Sequence, residues 1–193
     1  MKIVGVGAGP NFITGEAISA IKGAKMIFGS KRALELAKEH INCETREITD
    51  YSMRSIPEDA VILSTGDPMF SGLGKFAKKE DTIIPGISSF QLACSRLHLD
   101  IESFCLLSAH SGNIEVVKTR LILELKTSKN IFILPYMTFG VNEVSDFLRS
   151  HGLFRIIWVC ERLSYPDERI AKGTTIEPPT AGSDMYCIII CKK

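Results

Sequence analysis

Four short stretches punctuated by glycine, proline or charge carry the residues of this chain best suited to chemistry. They are Gly5-Val6-Gly7-Ala8-Gly9-Pro10, Ser64-Thr65-Gly66-Asp67-Pro68, Pro85-Gly86-Ile87-Ser88-Ser89 and Cys160-Glu161-Arg162-Leu163. Asp67 offers a carboxylate that can accept hydrogen bonds from sugar hydroxyls or an amine, or sit beside a cation. An Asp before proline can equally fold its own turn. Ser88 and Ser89 fit helix caps, and a capped helix start presents N–H groups to a ligand. His110, in Ser108-Ala109-His110-Ser111-Gly112-Asn113, titrates near neutrality and suits a general base. A lone loop histidine is nevertheless more often a bystander. Glu161 and Arg162 fit either an acidic substrate or pairing with their own neighbours. Arg54, Arg96, Lys118 and Arg120 flank the same regions, and taken singly each reads as a solvated surface charge.

The common phosphate-loop patterns do not fit. Gly5 and Gly7 match the start of a dinucleotide fingerprint, but Pro10 stands where its third glycine belongs. Residues 22–31 contain no Asp or Glu to hold a ribose. Gly72-Leu73-Gly74-Lys75 ends in Phe76 rather than a magnesium-binding hydroxyl, and Met69 occupies the place of the first glycine. What remains is a set of glycine loops suited to close approach by something less anionic than a phosphate chain.

The elements that must position these loops alternate. A strand near 2–6 leads to a helix near 14–22, with Thr14 as its cap and Gly23 at its end. A strand at 24–28, a helix at 31–39 capped by Ser30, and a short strand at 45–48 follow. The pattern continues with a strand at 60–63, a helix near 71–79, a strand at 82–84 and a helix to about Leu97, and Phe104–Leu107 closes this half. Beyond it lie a helix at 114–126, a strand at 130–134, a helix at 141–150, a strand at 155–159 and a β-rich tail. This order predicts an α/β architecture, and the polar segment Ser108–Asn113 is the candidate domain boundary, dividing residues 1–108 from 109–193. In open parallel sheets ligands bind where the carboxyl ends of the strands gather, so the loops are expected to form one composite pocket.

Composition sets outer bounds. With 45% apolar and 23% charged residues the chain is an ordinary globular sequence, and its net charge of +1 lacks the basic field of a nucleic-acid binder. No apolar run reaches membrane-spanning length and no signal peptide opens the chain, so a soluble cytoplasmic protein without membrane or nucleic-acid partners is expected. Six cysteines occur without a Cys-x-x-Cys, which favours apolar fillers in a reduced compartment over a metal site.

Taken in order, these stretches resemble the tetrapyrrole (corrin and porphyrin) methyltransferase family. The resemblance rests on Val4–Pro10 with Thr14 following, on Gly66-Asp67-Pro68-Met69-Phe70-Ser71-Gly72, and on Pro85-Gly86-Ile87-Ser88-Ser89. Two further stretches resemble the branch that methylates ring carbon 5 of cobalt-precorrin-7 in cobalamin synthesis. They are Pro85–Ala93 and Val159-Cys160-Glu161-Arg162-Leu163 with Pro166, Glu168, Arg169 and Ile170. The resemblance implies S-adenosylmethionine as methyl donor, held in a cleft between two α/β domains, with no protein-bound metal. It also implies a corrinoid substrate, a homodimer, and a separate protein for carbon-15 methylation and decarboxylation. Carried over residue by residue, donor contacts fall on Pro10, Gly66, Asp67, Phe70, Ser88, Ser89, Tyr136, Met137 and Leu163. A polycarboxylate substrate calls for a basic rim, assigned to Arg54, Arg96 and Arg120, and His110 is the candidate base.

The chain departs from that branch at two places. His110-Ser111-Gly112-Asn113 stands where the branch reads His-Gly-Arg, and Leu134-Pro135-Tyr136 where it reads Leu-Thr-Asp. Other acceptors therefore stay open: another corrin carbon, a modified protein histidine or a ribosomal RNA ribose. So does a non-catalytic tetrapyrrole-binding module.

Overall fold

The computed structural model of the chain describes residues 1–50, 55–127 and 129–192, apart from the side chain of residue 111. The chain divides into two compact units, Met1–Ser89 and Phe90–Lys193.

The first unit is built on five parallel strands: β1 (Lys2–Gly5), β2 (Met26–Gly29), β3 (Glu44–Glu47), β4 (Val61–Ser64) and β5 (Thr82–Ile84), in spatial order β3-β2-β4-β1-β5. Helix α1 (Gly15–Lys22) links β1 to β2, and α2 (Lys31–Ala37) links β2 to β3. Both helices start at the capping residues expected from sequence. Thr14 Oγ1 accepts from Ala17 N and Ser30 Oγ from Ala33 N, each at 3.2 Å.

Successive strand residues point to opposite faces, and here both faces are buried. Val4, Val61 and Leu63 pack with Ala17 and Ile21 of α1 and Ala33 and Ala37 of α2. Ile3, Phe28 and Ile62 pack on the other face with Ile48 and Ala60. This double burial is why β1 and β4 read as unbroken apolar runs. The helix expected near 71–79 is instead a single 3-10 turn, Leu73–Phe76. Gly72 and Gly74 lie so close to the Pro68 carbonyl that a Cβ at either would come within 2.8 Å of it, so this loop folds back upon itself.

The second unit carries a mixed sheet of β6 (Phe104–Ser108), β7 (Asn130–Leu134), β8 (Ile156–Glu161), β9 (Arg169–Thr174) and β10 (Tyr186–Cys191), in order β6-β7-β10-β8-β9. Its helices are α3 (Ser89–Leu97), α4 (Ile114–Lys126) and α5 (Val141–Ser150). Val117, Leu121 and Leu125 of α4 and Val141, Val144 and Leu148 of α5 recur at helical spacing and fill the core against Ile131, Ile133, Ile157 and Ile188.

The division differs from the expected boundary at 108/109. Strand β6 pairs in parallel with β7 along its whole length, so the β6-α4-β7 crossover belongs to the second sheet rather than closing the first. Phe90 of α3 joins the same unit through edge-on ring contacts with Phe104 and Phe132 at 5.3 Å.

Among the described residues no disulfide forms, and no group of three or more His, Cys, Asp or Glu is arranged to hold a metal ion. Cys160 and Cys187 lie opposite each other on β8 and β10 and are fully enclosed. Burial pushes the Cys94 and Cys191 thiols up to about 11, so they act as apolar filler. No helix among the described residues is long and apolar enough to cross a membrane.

At the amino ends of the first unit's strands, the Met1 ammonium donates to Asp81 Oδ1 at 2.8 Å, with side-chain exposures of only 5% and 4%. Lys78 N donates to Asp81 Oδ2 at 2.7 Å. The ammonium first, and the Lys78 N–H second, hold the Asp81 carboxyl below its ordinary range. A carboxyl depressed in the folded state stabilises above its unfolded value of about 3.9, and that contribution fades as pH falls through the folded value. Asp81→Asn should therefore lower the unfolding midpoint at pH 7, and the gap from wild type should close on acidification below about pH 3.9, as measured by thermal unfolding monitored by circular dichroism.

Candidate functional site

The loops leaving β1, β4 and β5 emerge from three neighbouring parallel strands and are bound to one another. Val6 N donates to the Ser64 carbonyl at 3.0 Å, Gly66 N to Gly7 at 2.8 Å and Ala8 N to Ile87 at 2.9 Å. Gly5, Gly66 and Gly86 meet where the segments cross. A Cβ on Gly5 would lie 2.6 Å from Gly86 N and 2.8 Å from the Gly66 oxygen, and a Cβ on Gly86 would overlap that oxygen outright. Only glycine permits this approach.

Gly66 is different in kind. Its φ is +68°, and a Cβ there would find just the Ser88 Cα, at 3.9 Å. A Cβ at Gly66 would thus face open space beside Ser88, the residue before α3.

Asp67 clasps the arrangement. Its Oδ1 accepts from Met69 N at 2.8 Å and its Oδ2 from Gly86 N at 3.1 Å, so one carboxylate joins the β4 loop to the β5 loop. A carboxylate has about four acceptor positions, of which these bonds take two. The turn-forming reading of Asp67 is thus what these bonds show. Phe70 N closes the turn onto the Asp67 carbonyl at 3.1 Å. Pro10 lies within the first loop, and Ser88 is buried just ahead of α3, which opens at Ser89.

Arg32 is a residue that sequence reasoning missed. Its Nη2 donates to the Ala8 carbonyl and holds the first loop from the side of α2. A signal existed, because Lys31 and Arg32 place two cations in a first turn that has no acidic residue. A helix dipole disfavours cations there, so another partner had to hold them.

In the second unit β6, β7 and β8 run in the same direction, so their carboxyl ends share one edge of the sheet. His110, Tyr136 with Met137, and Arg162 with Leu163 follow those three ends in turn. The His110 and Tyr136 rings meet edge to face at 6.2 Å. Tyr136 and Phe139 exchange backbone hydrogen bonds across a tight turn that leaves Met137 87% exposed.

Glu161 is engaged by its own neighbours, and Arg162 lies within ion-pair range of Asp167. Glu161 accepts from Arg169 Nε and from the backbone N–H groups of Gly182 and Ser183. Burial alone would raise its carboxyl, yet these donors outweigh burial and hold it below the ordinary range. Arg162 pairs with Asp167 and lies over the Tyr165 ring.

Of the expected basic rim, Arg96 Nε is engaged by Glu168 Oε1 at 2.8 Å, and Arg120 lies exposed on α4 with Nη2 3.8 Å from Cys105 Sγ. Arg54 lies outside the described residues.

The family model for Tetrapyrrole (Corrin/Porphyrin) Methylases matches residues 2–178, which include the loops that follow β1, β4, β5, β6, β7 and β8. The chain belongs to this methylase family. It is 32% identical to a protein of Methanocaldococcus jannaschii named a probable cobalt-precorrin-7 C(5)-methyltransferase, over 98% of this chain and 95% of that one. It is 25% identical to the cobalt-precorrin-7 C(5)-methyltransferase of Salmonella typhimurium, over 98% of both chains. A solved structure of a cobalamin-biosynthesis precorrin-6Y methylase from Archaeoglobus fulgidus superposes with a TM-score of 0.78 at 28% identity, over 100% of this chain and 98% of that one.

The three-glycine crossing yields a direct test. Gly86→Ala forces a methyl into backbone that has no room to move, and overpacking of this sort costs about 1–3 kcal/mol. Urea unfolding should show that loss, whereas Gly15→Ala, at a position with nothing within 4 Å, should cost far less.

Proposed function

We propose that this chain methylates ring carbon 5 of cobalt-precorrin-7, with S-adenosylmethionine as donor. The observation that carries this reading is the similarity to the M. jannaschii protein, which runs essentially from end to end of both chains at 32% identity. The open, left-handed Gly66 beside Ser88 supports it, because backbone without a side chain lets a ligand approach closely.

When bound, the donor supplies an electrophilic methyl on a sulfonium. The protein's own contribution is alignment and exclusion of water, and near-attack positioning can lower a barrier by about 7–11 kcal/mol. In this reading Pro10, Gly66, Asp67, Phe70, Ser88, Ser89, Tyr136, Met137 and Leu163 are assigned to the donor. Asp67 uses its remaining acceptor positions on the donor while its clasp keeps the β4 and β5 loops in register. His110 is assigned to take the proton released from the ring carbon after transfer. Arg54 and Arg120 are assigned to the substrate's carboxylates, while Arg96 is committed to Glu168. The reading extends to a cytoplasmic homodimer working alongside a separate carbon-15 methyltransferase and decarboxylase.

Incubation with methyl-labelled S-adenosylmethionine and cobalt-precorrin-7 should place label on carbon 5, as read by NMR. Label on another carbon, or on none, would reject the assignment. Asp67→Ala should raise the calorimetric Kd for the donor about tenfold or more, the scale of one charge-assisted hydrogen bond. Unchanged affinity would remove Asp67 from the site.

A further inference from the structure

Positive φ at a residue other than glycine is strained, and such strain is kept where the surrounding structure enforces it. Among the described residues it occurs at Asn11, Ser71, His98, Arg162 and Ser164. His98 ends helix α3, where Leu99 N returns to the Cys94 carbonyl at 3.0 Å, an ordinary helix termination. Asn11 and Ser71 lie in the loops that follow β1 and β4. Arg162 (φ 46°) and Ser164 (φ 68°) bracket a single residue, Leu163, which is 5% exposed.

A network of side chains enforces the last pair. Glu161 anchors the end of β8 to β9 through Arg169 and to the 182–183 segment through two N–H groups. Arg162 N donates to the Met185 carbonyl at 2.9 Å. Glu168 grips the second left-handed residue directly, because its Oε2 accepts from Ser164 N at 2.6 Å. Its Oε1 accepts from Arg96 Nε of α3 at 2.8 Å. A simple reversal between β8 and β9 would be made more cheaply with glycine at 162 and 164. This chain instead holds non-glycine residues in place with charge.

We propose that Glu168 is a positioning residue for the methyl donor. It fixes Ser164 in the left-handed conformation and so sets where the backbone of Leu163 is presented, while Arg96 holds Glu168 against that backbone. The proposal rests on the donor assignment made above, and its residues touch the donor only through Leu163.

The test is calorimetric titration of S-adenosylmethionine into wild type, Glu168→Ala, Glu168→Gln and Ser164→Gly. The KM for donor and for corrinoid are measured alongside. Heat from wild type is the control for the donor assignment, and its absence would reject that assignment itself. With wild type binding, Glu168→Ala should raise Kd and donor KM about tenfold, leaving the corrinoid KM nearly unchanged. Glu168→Gln keeps an acceptor for Ser164 N and should stay within about threefold of wild type. Ser164→Gly relieves the strain, so it should leave the unfolding midpoint unchanged or raise it while still weakening donor binding. Should Glu168→Ala fail to fold, Ser164→Gly decides the matter. Wild-type donor affinity in folded Glu168→Ala or in Ser164→Gly would overturn the proposal, as would equal losses for donor and corrinoid.

Discussion

The first unit depends on one constraint, the crossing of three backbone segments at Gly5, Gly66 and Gly86 with no side chain between them. Parallel strands β4, β1 and β5 bring the segments side by side. The hydrogen bonds among Val6, Ser64, Gly7, Gly66, Ala8 and Ile87 then stitch the loops into one surface. Asp67 closes the stitch with two N–H groups from two loops. Burial of both sheet faces holds the strands in register, so the crossing inherits the rigidity of the core rather than the mobility usual for loops.

The second unit reaches a comparable result by other means. Where the first uses glycine to bring backbone close, the turn after β8 uses charge to hold backbone strained. Glu161 is buried and accepts from three donors, Glu168 spans from Ser164 to Arg96, and Arg162 lies in ion-pair range of Asp167. Breaking a buried, paired carboxylate leaves an uncompensated charge. These side chains therefore fix geometry, although by composition alone they look like a patch waiting for an acidic ligand.

Much of this was legible in the sequence because it follows from local chemistry. Thr14 and Ser30 announce helix starts, Gly23 an end, and the unbroken runs at Ile3-Val4 and Val61-Ile62-Leu63 a sheet buried on both faces. The loops carrying Gly66, Asp67 and Ser88 are recognisable by residue type. The rest depends on contacts across the chain. Nothing near Arg32 points to the Ala8 carbonyl, and nothing near Arg96 points to Glu168, 72 positions away. The helix expected near 71–79 failed because Gly72 and Gly74 serve close backbone approach to Pro68. The boundary at 108/109 failed because strand pairing, invisible in periodicity, assigns Phe104–Ser108 to the second sheet.

The proposed function makes one central claim: the donor is held chiefly by backbone presented at strand ends. Amide hydrogen exchange with and without S-adenosylmethionine tests it most directly. The account predicts slowed exchange in peptides covering residues 5–14, 65–72 and 85–89, together with 161–169, and little change in the outer turns of α4 and α5. Unchanged exchange in the first three segments, with protection elsewhere, would contradict it.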